Sequence, residues 1–560
     1  MSSTTTIGRY LVERLEQAGT RHVFGIPGDY VLRFYDLLVD SRLEVVGTCT
    51  ESGAGFAADA YARVNGLGVL CVTYCVGGLN ALNAVAGAYA EKSPLVVISG
   101  APGLGEREKT PLLHHKVRDF QTQLEIYEKV TAAAAALESA ESAPRKIDEC
   151  LRTCLLHKRP VFLELPRDMV DAECAAPGPF ELASAASDPG VLDECLDEAL
   201  SMLRNARRPV ILAGVEIHRF GLQDELVRLV ERTGYPVAAT ILGKSVITEI
   251  HPQYLGVYEG AMGREEVRAA VEDADCVLIL GAFMTDINLG VYTANLEIER
   301  TINVNSERAS IKRHHFDDVT LRDFMTGLLR AELRGAADPS YRSAASMLWT
   351  SDFEPEPTAP MTVRRFFQRL NRFLEAGDVV IADIGDSLFG AADLVIRERT
   401  DFLSPAYYTS MGFAVPAAIG AQMHDRSSRP IVIVGDGAFQ MTGHELSTAV
   451  RFGLDPIVFV LNNKGYTTER FIHEGPYNDI HDWAYHRMPE LLCSGWGTEV
   501  RTEDELEAAL AEARRNRGTF SILNIHLDKM DRSNALERLG KRMAANVASS
   551  GGRRVKKRAR

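Results

Sequence analysis

The sequence predicts an α/β protein of three doubly wound parallel-sheet domains, and three observations carry that prediction. Short apolar runs rich in β-branched residues recur, leading into Gly or Asp and then a helical pattern, as expected of strands buried on both faces. The runs fall into three groups: 67–73, 95–99 and 161–165; then 209–213, 276–280 and 301–304; then 379–382, 431–434, 457–461 and 521–525. A length of 560 residues asks for three or four cores at about 150 residues per domain. Two stretches rich in Pro, Ala and Ser, 172–190 and 336–360, lack a sustained period and read as crossings between domains. The expected domains are 1–171, 190–335 and 360–540, followed by a basic tail, 541–560.

Composition narrows the function classes. With 46% hydrophobic and 25% charged residues, the chain sits at the globular average. A formal charge of −14 argues against nucleic acid or an acidic membrane as the main partner. The last twelve residues carry six cations behind a Ser/Gly linker and read as a solvated tail. Nine scattered cysteines make neither a disulfide framework nor a zinc site, no run of 18 apolar residues occurs, and the first residues lack a targeting pattern. The expected location is therefore a reducing cytoplasm.

Chemistry concentrates in the third group of strands. The run 431–434 enters Gly435-Asp436-Gly437, and the run 457–461 enters Asn462-Asn463-Lys464-Gly465. Loops at the carboxyl edge of a parallel sheet converge on one crevice, so Asp436, Asn463 and the Gly465 carbonyl can meet at a single ion. Such an oxygen-only set suits Mg²⁺ beside two phosphate oxygens, and the glycines at 435 and 437 let backbone N–H groups approach those phosphates. Each element alone is ordinary turn chemistry; their pairing directly after two strands favours a site. Other glycine pointers are weaker. Gly243-Lys244-Ser245 has Ala238 where a P-loop needs glycine, and Gly100, Gly103 and Gly105 are misspaced for a dinucleotide fingerprint.

The stretch GDGAFQMTGHELSTAVRFGLDPIVFVLNN resembles the signature of thiamine-diphosphate-dependent enzymes. A second stretch, TESGAGFAADAYAR, places Glu51 at a helix start, where the bland role is a first-turn acid. By resemblance this is the segment whose glutamate bonds the aminopyrimidine ring of the cofactor, with Met411 supporting the folded rings. The resemblance also implies a homodimer at minimum, with the glutamate and the diphosphate site on different subunits, and a homotetramer as a pair of dimers.

The pair His114-His115, with Gly28-Asp29-Tyr30 and the stretch 465–473, is similar to the active-site set of the pyruvate and indolepyruvate decarboxylases. That similarity makes Asp29, His114, His115 and Glu469 acid–base groups around the reacting atoms, adds Thr73 to their pocket, and puts Gly385, Asp386 and Ala438 in the cofactor set. Leu388 and Thr468 stand where the pyruvate-specific pattern has tryptophan and isoleucine, which implies an enlarged substrate pocket, and the resemblance places Ile472 in the same pocket. Ile384 and Ala438 replace hydroxyl residues frequent in relatives. The implied reaction is non-oxidative decarboxylation of a bulky 2-oxo acid, such as phenylpyruvate, indolepyruvate or a branched-chain acid, to an aldehyde and CO₂. The alternatives are a pyruvate decarboxylase, an acetolactate-synthase-like or benzoylformate-type enzyme, and a non-catalytic assembly subunit. The histidine pair and Glu469 disfavour the acetolactate-synthase-like enzyme, the histidine pair disfavours the benzoylformate type, and intact Glu51, Asp436 and Asn463 disfavour the subunit.

Overall fold

The computed structural model describes residues 4–181, 185–333, 353–397 and 401–541. The basic tail beyond Lys541 and most of the stretch 336–360 lie outside these residues.

Two six-stranded sheets are entirely parallel. The first runs, edge to edge, Glu44–Gly47, His22–Gly25, Gly68–Val72, Leu95–Ala101, Val161–Pro166 and Ala133–Ala136. The third runs Phe402–Leu403, Asp378–Ala382, Arg429–Gly435, Ile457–Asn462, Ser521–His526 and Trp496–Val500. Numbered from 1 in chain order within each sheet, both read 2-1-3-4-6-5. Central strands such as Ile457–Asn462 are buried at every residue, because helices cover both faces.

The middle sheet reads 3-2-1-4-5 over its parallel strands, from Tyr254–Tyr258 to Thr301–Val304. It then adds two antiparallel strands, Ala309–Ile311 and His314–Phe316, which depart from the all-parallel expectation. A second departure lies in the stretch 172–190. Glu173–Ala175 pairs antiparallel with Thr4–Thr6, so the first unit's backbone pairing runs past 171. Three-residue strands are too short to display an alternating period, which is why the sequence read as a crossing there.

The first and third sheets are joined by two helices of small residues. Glu51–Asn65 is capped by Thr50, whose Oγ1 accepts the Gly53 N–H at 3.0 Å, and it stops at Gly66 with φ +93°. It packs on Ala414–His424 so closely that a Cβ at Gly420 would lie 2.0 Å from the Ala57 carbonyl oxygen. Beside them Arg63 pairs with Asp59 and Glu91, each at 2.8 Å, with all three side chains buried. Among the described residues no helix is long and apolar enough to cross a membrane.

Candidate active site

In a sheet ordered 2-1-3, the loops after strands 1 and 3 diverge and leave a crevice at their carboxyl ends. In the third sheet that crevice is a cavity of about 300 Å³. Its floor comes from the loop after Asp378–Ala382, which supplies Gly385 and Asp386, and from Gly435, Asp436, Gly437 and Ala438 after Arg429–Gly435. The neighbouring strand Ile457–Asn462 adds Asn463, Gly465, Thr468 and Glu469, and Met411 closes one side.

Local sequence explains how these groups are held. Asp436 opens the helix Asp436–Thr442, is 1% exposed, and accepts the N–H groups of Gly437 at 2.7 Å and Gly465 at 3.1 Å. Burial pushes its carboxyl up to about 6, the outcome for an acid whose charge is removed from water. Gly465 has φ +149°, and a Cβ there would lie 2.0 Å from the Asn478 carbonyl oxygen, so only glycine fits this turn. Asp383 accepts the N–H groups of Gly412 at 3.2 Å and Ala414 at 2.9 Å, which fixes the loop that carries Met411.

Three buried polar atoms at the cavity have no hydrogen-bond partner: Asn463 Oδ1, Asp386 Oδ1 and Thr467 Oγ1. A buried acceptor left unsatisfied costs about 1–3 kcal/mol, and a ligand that engages it removes that cost. Beside the Asp436 carboxylate, the Asn463 oxygen makes a donor set of the hard-oxygen kind that a divalent cation needs.

The other predicted residues gather at the matching crevice of the first sheet. Asp29 follows His22–Gly25, and Gly28 presses on Thr73 at the end of Gly68–Val72, where a Cβ would lie 2.5 Å from the Thr73 Cβ. His114 Nε2 lies 2.8 Å from Asp29 Oδ2, its ring stacks on Tyr30 at 4.8 Å, and the His115 ring stands edge-on to it at 4.8 Å. Ligand atoms of Asp29, His114 and His115 all lie within 4.8 Å of one another. His115 has φ +65°, and its buried Nδ1 has no partner, as does the buried Thr73 Oγ1. Glu51 heads its helix and accepts Asn80 Nδ2 at 2.6 Å.

The predicted residues therefore form two groups. Gly385, Asp386, Met411, Gly435, Asp436, Gly437, Ala438, Asn463, Gly465, Thr468 and Glu469 share the cavity, whereas Asp29, Glu51, Thr73, His114 and His115 do not line it. Two predicted substrate-pocket positions do not line this single-chain cavity. Leu388 is 0% exposed inside the hydrophobic core, because its helix turns Ser387 and Phe389 toward the cavity instead. Ile472 is 68% exposed and lies off the cavity. Ile287 from the middle domain, Val363 and Leu527 line the wall unpredicted, since no motif marks an isolated apolar side chain.

Comparison with known proteins matches three stretches of the chain to the thiamine pyrophosphate (diphosphate) enzymes: the N-terminal TPP binding domain over residues 5–126, the central domain over 196–331 and the C-terminal TPP binding domain over 383–525. An indole-3-pyruvate decarboxylase of Azospirillum brasilense is 38% identical across 94% of this chain and 96% of the relative. A probable pyruvate decarboxylase of Schizosaccharomyces pombe is 32% identical across 97% of each chain, and a pyruvate decarboxylase of Pisum sativum is 32% identical across 96% of this chain and 93% of the relative. Taken with the two TPP binding domains, this places the chain among the thiamine pyrophosphate enzymes, in the branch that holds the indole-3-pyruvate and pyruvate decarboxylases.

Proposed function

We propose that this chain is a thiamine-diphosphate-dependent carboxy-lyase that converts a bulky 2-oxo acid to an aldehyde and CO₂. The observation that carries the proposal is the pairing of two half-sites on sheets of one topology. One is rich in buried oxygen acceptors and backbone N–H groups, and the other in groups that exchange protons. When bound, thiamine diphosphate supplies the electron sink that a 2-oxo acid needs to lose CO₂.

The chain's own residues do the rest. Asp436, Asn463 and the Gly465 carbonyl would hold Mg²⁺ for the diphosphate, and Met411 would support the rings. Glu51 would hold a proton at the aminopyrimidine nitrogen. Asp29, His114 and His115 exchange protons with the departing product, and Glu469 faces the substrate carboxylate from the cavity wall. Because the two half-sites do not share a cavity within one chain, we assign the working unit to a homodimer at least, and to a homotetramer as a pair of dimers. The units 1–171, 190–335 and 360–540 belong to the same proposal, each enclosing one large sheet. So does a cytoplasmic location, which the nine unpaired cysteines support.

Thr468 at the cavity and the apolar wall of Ile287, Val363, Phe389 and Leu527 support a substrate larger than pyruvate. The test is aldehyde and CO₂ release across pyruvate, 2-oxoisovalerate, phenylpyruvate and indolepyruvate. Pyruvate as best substrate would favour the pyruvate decarboxylase reading, which the names of several relatives support. Formation of acetolactate without free aldehyde would instead make the chain a carboligase.

A further inference from the structure

Glu445 belongs to the third domain, yet its carboxylate is spent on the first. It lies at the end of the 3-10 turn Gly443–Glu445 that follows the helix Asp436–Thr442, and it is 0% exposed. Oε1 accepts the Thr50 N–H at 3.0 Å and the Thr50 hydroxyl at 3.1 Å; Oε2 accepts the Cys49 N–H at 3.1 Å and the Thr448 hydroxyl at 2.9 Å. The His444 imidazole stands 3.9 Å from Oε1. A buried carboxylate is costly unless its lone pairs are filled, and here four donors fill them, three from the two residues that immediately precede Glu51.

Helix capping accounts for only part of this arrangement, since the Cys49 N–H lies outside the helix. Thr50 already caps Glu51–Asn65 through Gly53 N–H, and Glu445 holds that capping hydroxyl together with the backbone N–H groups of both 49 and 50. Room has been made for it: a Cβ at Gly53 would come within 2.0 Å of Glu445 Oε1, although Gly53 sits in ordinary helix. The segment behind Glu445 begins at Asp436, and on the way Thr442 donates its hydroxyl to the Gly412 carbonyl at 2.7 Å, next to Met411.

We infer that Glu445 is a positioning residue for Glu51, and that it ties the diphosphate half-site of a chain to the pyrimidine half-site of the same chain. The inference rests on the reading of Glu51 given above. In a dimer whose sites mix the two halves, this tie runs from one active site to the other.

The test uses the holoenzyme and follows hydrogen–deuterium exchange at C2 of bound thiamine diphosphate, measured by NMR after acid quenching, alongside cofactor affinity and thermal unfolding. Glu445→Gln keeps the side chain's shape but turns two of its acceptor sites into donors. It should slow exchange about tenfold with cofactor affinity changed by less than about threefold. Glu51→Gln should slow exchange about a hundredfold or more. In the Glu51→Gln background, Glu445→Gln should have no further effect on exchange, because a positioning residue acts only through the group it positions.

Wild-type exchange in Glu51→Gln would overturn the reading of Glu51 itself. Slow exchange in Glu51→Gln with wild-type exchange in a folded Glu445→Gln would overturn the positioning role alone, as would additive losses in the double variant. Should Glu445→Gln fail to fold, Thr448→Val, which removes one donor to Oε2, carries the test: slowed exchange supports the role, and an unchanged rate rejects it.

Discussion

The first and third sheets share one strand order and direction, yet their switch-point crevices carry different chemistry. The third presents a carboxylate, an amide oxygen and glycine-lined backbone, the means to hold a metal and phosphates. The first presents Asp29, Glu51, Thr73 and a histidine pair, the means to move protons. The topology supplies the address, and the loop sequences supply the function. The middle sheet makes the contrast sharper. Its switch point is closed, since a Cβ at Gly214 would lie 2.1 Å from the Ala282 Cα, and Glu216 beside it is bound to Lys92 of the first domain at 2.6 Å.

The largest expected effect breaks the proton-moving half. Glu51→Gln should lower kcat about a thousandfold with the diphosphate held nearly as before, as read by steady-state kinetics and cofactor titration. Breaking the other half should have the opposite signature: Asp436→Asn should weaken cofactor affinity about a hundredfold, with part of the loss recovered at high Mg²⁺.

A smaller effect concerns stability. The fourth residue of the equivalent strand is Glu164 in the first sheet and Asn524 in the third, both buried. Burial pushes Glu164 up to about 7 from its ordinary 4.5, against the pull of Arg107. The native state therefore holds a proton that the unfolded chain has released, and stability from Glu164 is lost as pH rises from about 4.5 to 7. Relative to the wild type, Glu164→Gln should gain on the order of 2 kcal/mol between pH 4.5 and 7.5, measured by urea unfolding of the apoprotein. The smallest effect sharpens the cavity: Thr468→Ile should shift the kcat/KM ratio about tenfold toward pyruvate and away from phenylpyruvate.

The sequence made the central strands legible because they are buried on both faces and read as near-continuous apolar runs. Ala133–Ala136, four alanines with helical propensity, and the two-residue Phe402–Leu403 escaped, since tertiary pairing alone makes them strands. Asp436, Asn463 and Gly465 of the proposed diphosphate half-site were legible because they follow two successive strands. That Leu388 and Ile472 stand off the single-chain cavity could not be read from the sequence, because a motif fixes a residue's place in the chain and not the direction of its side chain on a short helix. Glu445 lay inside the motif, but its partner Thr50 is 395 residues away, a contact that no local pattern encodes.

We propose that each working site joins the Glu51 half of one copy to the Asp436 half of another. Complementation tests it most directly: Glu51→Gln and Asp436→Asn chains, each inactive alone, are coexpressed with different tags and the mixed dimer is purified and assayed. Activity should return, because one of the two sites then contains both intact halves. A mixed dimer of verified composition that stays as inactive as either parent would contradict it.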